Sequence, residues 1–183
     1  MYMELDNSIE STDLKLSNKT SYHTLNDKWS LWAHLPHDTD WTVKSYKKIM
    51  TFDSVESAVV LYETIPDKMI KNCMLFLMRN GIQPTWEDER NRNGGCFSYK
   101  VSNKIIVNTW KKASFAIVGE TITDEMKLSS QINGITISPK KNFCIVKIWL
   151  SSCDCKNPQK ISELPGITSH LSLIHISEPT RPY

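Results

Sequence analysis

The chain has 183 residues, enough for one domain with a substantial core, and its 22 Lys and Arg against 20 Asp and Glu leave a formal net charge of +2. That near balance excludes attraction of the whole molecule to nucleic acid or acidic lipid, so any anion must be met by a local patch. No run approaches the roughly 18 apolar residues of a membrane-spanning helix. The opening MYMELDNSIESTD also lacks the basic-then-apolar pattern of a signal peptide. Cys73, Cys96, Cys144, Cys153 and Cys155 are scattered outside CxxC spacing, which points to reduced thiols rather than disulfides or structural zinc. The expected setting is the cytoplasm, with no membrane association and no cofactor.

Residues 1–21 are polar and without sustained period, and are expected to form a disordered tail ahead of a domain over 22–150. In KWSLWAHL (28–35), Trp29, Leu31 and Ala33 fall on one face and Trp32 and His34 on the other, the alternation of a strand. PHDTDW (36–41) breaks that pattern with proline and turn formers, placing Trp41 on a loop or at a strand start. DSVESAVVLYETIP (53–66) predicts a helix, with Asp53 as N-cap, Glu56 three residues on, and Val55, Ala58, Val59, Tyr62 and Ile65 along one stripe. CMLFLMR (73–79) reads as a central strand buried on both faces, and CFSYKV (96–101) as the next strand. In NKIIVNTWKKASFAIVGE (103–120), Ile106, Trp110, Ala113 and Ile117 recur at helical spacing from an Asn103 cap to Gly119 as terminator. INGITIS and NFCIVKIWL, joined by PKK, predict a β-hairpin over about residues 132–150. Strands dominate without strict βα alternation, so the expected class is α+β: an antiparallel sheet with helices on one face, the other left free to bind.

The tryptophans divide by context. Trp29, Trp32, Trp110 and Trp149 lie within predicted elements and are expected to pack in the core with satisfied indole N–H groups. Trp41 and Trp86 lie in polar, turn-prone loops beside acids, in DTDW and PTWEDE. A ring of that size in a water-facing loop calls for a stacking partner. Two opposed indoles make a slot for a flat ring, more so if that ring is cationic. Glu87 beside Trp86 can accept two neighbouring N–H bonds such as those at the N1 and N2 positions of guanine. Phosphates on such a ligand would meet Lys140 and Lys141 at the hairpin tip and Arg90 and Arg92 in the 84–95 stretch.

The order HTLNDKWSLW, DW, FDSVES, LY, GIQPTWEDERNRNGG, W, IVGE, NGITISPKK, KIW resembles eukaryotic translation initiation factor 4E, from about His23 to Trp149. The resemblance implies a curved antiparallel sheet with helices on its convex back and a slot for the 7-methylguanosine cap of messenger RNA on the concave side. Trp41 and Trp86 match the stacking pair, Glu87 the guanine-edge carboxylate, and Trp149 the tryptophan near the methyl group. Lys140 falls at a phosphate-binding arginine. Cys96 and Ile145 fall at two further positions where the family carries basic residues. On the back of the sheet, Leu25, Val55 and Gly119 match a surface that grips a Tyr-x-x-x-x-Leu-hydrophobic helix of a 4G-like scaffold or of repressors. The tryptophan of that surface is Val59 here, so the usual aromatic anchor is lacking.

Cap binding for translation initiation, without catalysis, is therefore the expected function. A cap-sequestering regulator that does not engage the scaffold is the alternative. A rival of another class is a metal-dependent phosphoesterase built on His34, His37 and Asp40 with Glu87, Asp88 and Glu89, against which Pro36 breaks the face the two histidines would share. Residues 151–170 are weakly patterned and read as an incomplete C-terminal segment. LSLIHISEPTR (171–181) resembles a translated sequencing adapter, so 171–183 are set aside, an exclusion expected to leave a sheet edge uncovered.

Overall fold

The computed structural model describes residues 22–161 and 172–175; the expected tail over 1–21 lies outside the described residues, as do 162–171 and 176–183. Its frame is a seven-stranded sheet, every neighbouring pair antiparallel, in the order β2-β1-β3-β5-β6-β4-β7. The strands are β1 (Thr24–His34), β2 (Lys47–Ser54), β3 (Met74–Arg79), β4 (Gly95–Ser102), β5 (Ile132–Pro139), β6 (Phe143–Leu150) and β7 (Ser172–His175). Four helices, α1 (Val55–Thr64), α2 (Asp67–Asn72), α3 (Ile106–Val118) and α4 (Met126–Gln131), complete the α+β class read from the sequence.

Strand alternation sorts the side chains onto two faces. Trp29, Leu31 and Ala33, with Leu75, Leu77, Ile135, Ile137, Val146 and Ile148, join Tyr62, Ile70, Trp110 and Ile117 of the helices in one buried core. The opposite set, Phe76, Met78 and Trp149, forms a second, smaller cluster with Ile82 on the face the helices leave free, and Trp32, Tyr46, Met74 and Trp86 pack against it. β3 lies inside the sheet, between β1 and β5, and its four middle residues are buried as expected.

Several local expectations are corrected. The N-cap of α1 is Ser54, whose Oγ accepts from the Ser57 N–H (3.3 Å), while Asp53 belongs to β2. Glu56 closes no capping box; it accepts from the backbone N–H of His23 (3.0 Å) and meets the His23 ring (2.6 Å), tying α1 to the chain entering β1. The buried arc of α1 is Ala58, Leu61, Tyr62 and Ile65, leaving Val55 and Val59 44% and 43% exposed. At about 100° per residue Val59 lies a quarter turn or so round from Ala58, so the expected stripe was too wide. Helix α3 starts later than expected, with Ile105 at its N-cap and no side-chain cap bond. Asn103 instead accepts from the Cys144 thiol (3.3 Å), across to β6. Gly119 does end α3, but at φ −86°; the left-handed residue is Glu120, at φ +56°.

Strand β2 and helices α2 and α4 are additions to the sequence reading. The indole N–H groups of Trp29, Trp32 and Trp110 are buried without a hydrogen-bond partner, against the expectation that each would be satisfied. Trp29 packs under Arg79, whose guanidinium lies 4.9 Å from the ring centroid. The same guanidinium pairs with Asp27 and Glu120 and donates to the Ile132 carbonyl (2.7 Å), fastening β1, β3, β5 and the end of α3. The β4 edge expected to be uncovered is paired at Gly95–Ser98 by β7, from within the stretch set aside as adapter-like.

Candidate functional site

The open face is built from cross-strand rows. Trp32, Phe76, Thr136, Lys147 and Ser98 are successive partners across β1, β3, β5, β6 and β4. Beside them run Met78, Gly134, Trp149 and Cys96. Gly134 is fixed by space: a Cβ there would stand 2.3 Å from the Leu77 carbonyl oxygen and 2.6 Å from the Met78 sulfur. The neighbouring Trp149 indole donates from Nε1 to Thr136 Oγ1 (2.6 Å).

Two loops rise over this floor. Residues 35–46 carry Trp41. Asp40 holds their turn by accepting from the Thr42 N–H (2.8 Å) and hydroxyl (3.0 Å), bonds that lower its carboxyl pKa below the ordinary value. The buried His34 ring donates from Nε2 to the Asp40 carbonyl (2.8 Å) and stacks under Trp41, with centroids 4.2 Å apart and planes 5° from parallel. Trp41 remains 48% exposed.

The second loop, residues 80–94, carries Trp86 and Glu87. Its three acids have different roles. Asp88 accepts from the Gln83 and Arg90 N–H groups (2.8 and 2.9 Å), Glu89 pairs with Arg92 (3.3 Å), and Glu87 is exposed with no ion pair among the described residues. The buried Asn91 donates to the Gln83 and Thr85 carbonyls (3.0 and 2.8 Å) and accepts from Asn133 (3.0 Å), pinning the loop to β5. At the loop's end, a Cβ on Gly94 would fall 1.7 Å from the Leu150 carbonyl oxygen, so only glycine lets β4 begin this close to β6.

Between the loops lies a cavity of about 400 Å³ whose lining includes Trp41, Trp86, Glu87, Trp149, Lys140 and Lys147. A neighbouring, more open recess shares Trp41 and Glu87 and adds Asp88 and Glu89. Trp41 and Trp86 thus reach one cavity, yet each stacks on a ring of the floor. Trp86 lies on Trp149 with centroids 3.6 Å apart and planes at 16°. Trp149 is therefore 3% exposed, on the cavity side rather than in the core under the helices.

Lys140, at the start of the β5–β6 turn closed by its N–H to the Phe143 carbonyl (2.8 Å), lines the cavity. Lys141, Arg90 and Arg92 do not line it, and Arg92 is paired with Glu89 (3.3 Å). Cys96 and Ile145, at the two positions the resemblance would make basic, lie on the floor rows beside Trp149 and Ser138. Burial pushes the Cys96 thiol pKa up. Lys147 is the residue the sequence reading missed. Its signal was the two-residue alternation that puts Ile145, Lys147 and Trp149 on one face of β6.

The residues of the metal reading do not assemble. His34 spends Nε2 on a backbone carbonyl, His37 is exposed at φ +69°, and among the described residues no group of three His, Cys, Asp or Glu is placed to hold a metal.

On the back of the sheet, Val55 and Val59 stand exposed on α1 together with Val60 (57% exposed); Leu25 is half-buried and Gly119 exposed.

A family model for eukaryotic initiation factor 4E matches residues 24–177. The eukaryotic translation initiation factor 4E of Candida albicans is 31% identical over 173 residues, spanning 84% of this chain and 81% of that protein. That of Saccharomyces cerevisiae is 31% identical over 139 residues, spanning 72% of this chain and 63% of that protein. Among solved structures, C. elegans initiation factor 4E-3, in complex with the 4E-binding protein Mextli and a cap analog, aligns with a TM-score of 0.65 at 27% identity, covering 73% of this chain and 76% of that one.

Proposed function

The chain belongs to the eukaryotic initiation factor 4E family, and from that premise we propose that it binds the 7-methylguanosine cap of messenger RNA, without turnover, in cytoplasmic translation initiation. One observation carries the reading: Trp41, Trp86 and Glu87 line a single cavity together with two lysines. A guanine methylated at N7 is cationic, and indole faces attract a cation more strongly than a neutral ring. On this reading Trp86 leaves Trp149, the base enters between Trp86 and Trp41, and Glu87 accepts from its N1 and N2 edge. Trp149, uncovered, then forms the floor against the methyl group, and Lys140 meets the phosphates.

Stacking contributes about 1–3 kcal/mol per plate and the edge contact about 1–3 kcal/mol more, consistent with micromolar affinity once ordering costs are subtracted. The test is a tryptophan-fluorescence titration. The expected result is that 7-methyl-GTP quenches with a micromolar Kd and GTP binds at least about tenfold more weakly. Trp41→Ala and Trp86→Ala should each lose about tenfold or more while keeping a cooperative thermal transition, lowered only slightly by the lost ring stack. Equal binding of the two nucleotides would end the cap reading.

The exposed valines of α1 support a partner reading as well. A Tyr-x-x-x-x-Leu-hydrophobic helix would lie across Val55 and Val59 with Leu25 and Gly119 at its margins. Val59 offers less apolar area than the indole it replaces, an observation that favours the cap-sequestering alternative over recruitment through a 4G-like scaffold. Retention of such a peptide in a pull-down, with cap binding intact, supports recruitment. Its absence supports sequestration.

A further inference from the structure

Alternation along β6 puts Lys147 on the cavity floor, where its cross-strand partners are the buried Ser98 and Thr136. The residue is half-buried, and no carboxylate pairs with it among the described residues; the ion pairs there belong to His23, Lys28, Arg79, Arg92 and Lys160. A fully buried cation is ordinarily paired, while a half-buried lysine can lay its stem on apolar surface and keep its ammonium free to move. What this ammonium faces is an aromatic ring: Nζ lies 5.6 Å from the centroid of Trp86. Lys140 and Lys147 are the two cations of the lining, and the neighbouring floor positions Cys96 and Ile145 carry no positive charge.

We infer that Lys147 is the exchangeable cation of this site: with the cavity empty its ammonium lies over Trp86, and when a cationic base takes that ring the ammonium turns to the ligand's phosphates. The inference rests on the cap-binding reading and assigns an anion-binding role to a cation inside the cavity lining, which Arg90, Arg92 and Lys141 do not join. Two positive charges repel when crowded against one ring, so base and ammonium exclude each other there. The flexible four-carbon stem of lysine lets its charge relocate, whereas a planar guanidinium would keep stacking on the indole.

This exchange has a signature that a purely structural lysine lacks. Without the ammonium, a ligand with no phosphate meets an uncontested ring and should bind more tightly. A triphosphate, by contrast, loses a charge-assisted contact and should bind more weakly. The experiment titrates 7-methylguanosine, 7-methyl-GMP and 7-methyl-GTP against the full chain and its Lys147→Met and Lys147→Arg variants by tryptophan fluorescence, with melting curves recorded in parallel. For Lys147→Met the expected result is a loss of about tenfold for 7-methyl-GTP, a smaller loss for the monophosphate, and a gain of about two- to threefold for the nucleoside. Lys147→Arg, whose guanidinium keeps stacking on the ring, should recover only part of the triphosphate affinity and bind the nucleoside no better than the original chain. Lys147→Gln, a polar residue at the same position, repeats the comparison if the Met variant melts early. Equal losses for nucleoside and triphosphate, or 7-methyl-GTP affinity within about twofold of the original chain, would overturn the inference while leaving cap binding intact. An original chain that binds none of the three ligands removes the cap reading itself, and the inference with it.

Discussion

Asn91→Ala should weaken cap binding although Asn91 does not line the cavity. The residue is 1% exposed, and its amide donates to the Gln83 and Thr85 carbonyls (3.0 and 2.8 Å) while its oxygen accepts from Asn133 Nδ2 (3.0 Å). Three hydrogen bonds at about 1 kcal/mol net each give a loss of about 3 kcal/mol. The Asn133 amide keeps its bond to the Arg90 carbonyl (2.8 Å), which trims that figure toward about 2 kcal/mol. Urea unfolding followed by circular dichroism should show a lower midpoint at unchanged slope, the sign of a stability change rather than an altered unfolded state. A 7-methyl-GTP titration under conditions where the variant stays folded should show several-fold weaker binding, because Trp86 and Glu87 ride on the loosened loop. Asn91→Asp is the sharper probe. It keeps the shape and the acceptor toward Asn133 but faces two carbonyl oxygens with a third oxygen, so it should cost more than alanine at neutral pH. A milder effect for aspartate than for alanine, or a loss under about 0.5 kcal/mol for alanine, would refute the role given to this amide.

Gly134→Ala forces a Cβ to within 2.3 Å of the Leu77 carbonyl oxygen, a backbone atom that cannot swing aside; thermal unfolding should show a loss of about 2 kcal/mol or more. Glu56 has a carboxyl pKa lowered from 4.5, first by its bond to the His23 side chain. A depressed folded-state pKa gives stability that is present above the ordinary value and lost as pH falls through the lowered one, so the tie between α1 and the start of β1 should release only below about pH 4.5. Carboxyl NMR titration should place the Glu56 midpoint below 4.5 and return it toward 4.5 in His23→Ala. Val59→Trp should tighten retention of a Tyr-x-x-x-x-Leu-hydrophobic peptide by about tenfold, and a peptide that binds both forms equally would place the partner helix elsewhere.

The parts of the fold that were legible in the sequence are those with strong periods. β1, β3, the β5–β6 hairpin and α3 each bury a continuous face, so Trp29, Leu31, Ala33 and the Ile106, Trp110, Ala113, Ile117 series announced themselves. β2 did not, because as an edge strand with most residues exposed it shows no apolar period. α2 and α4 are six residues each, too short for a helical repeat to register. At the site, loop context picked out Trp41, Trp86 and Glu87, which line one cavity, and the resemblance proposed their roles. Of the expected cations, Lys140 lines the cavity and the other three do not. Arg90, Arg92 and Lys141 are close in sequence to site residues, but where a loop side chain points depends on local bonds such as Glu89 to Arg92, which spacing does not encode. Lys147 was readable from alternation alone once β6 was placed, since it shares a face with Trp149.

The self-stacked rings set a threshold for any ligand. Opening the site on the cap-binding reading means giving up the Trp86–Trp149 stack and the Lys147 contact with Trp86. An aromatic pair contributes about 0.5–1.5 kcal/mol and an exposed cation–π contact about 0.5–1 kcal/mol, so roughly 1–2.5 kcal/mol is surrendered. A neutral base stacked on Trp86 returns about 1–3 kcal/mol, close to break-even. A methylated, cationic base adds its own attraction to two indoles, which tips the exchange toward binding, while the freed ammonium is open to the phosphates of either nucleotide. The surrendered contacts are the same for both ligands and leave their affinity ratio unchanged. What they do is lower both affinities together, so that of the two nucleotides the one with the charged ring is the one that clears the threshold.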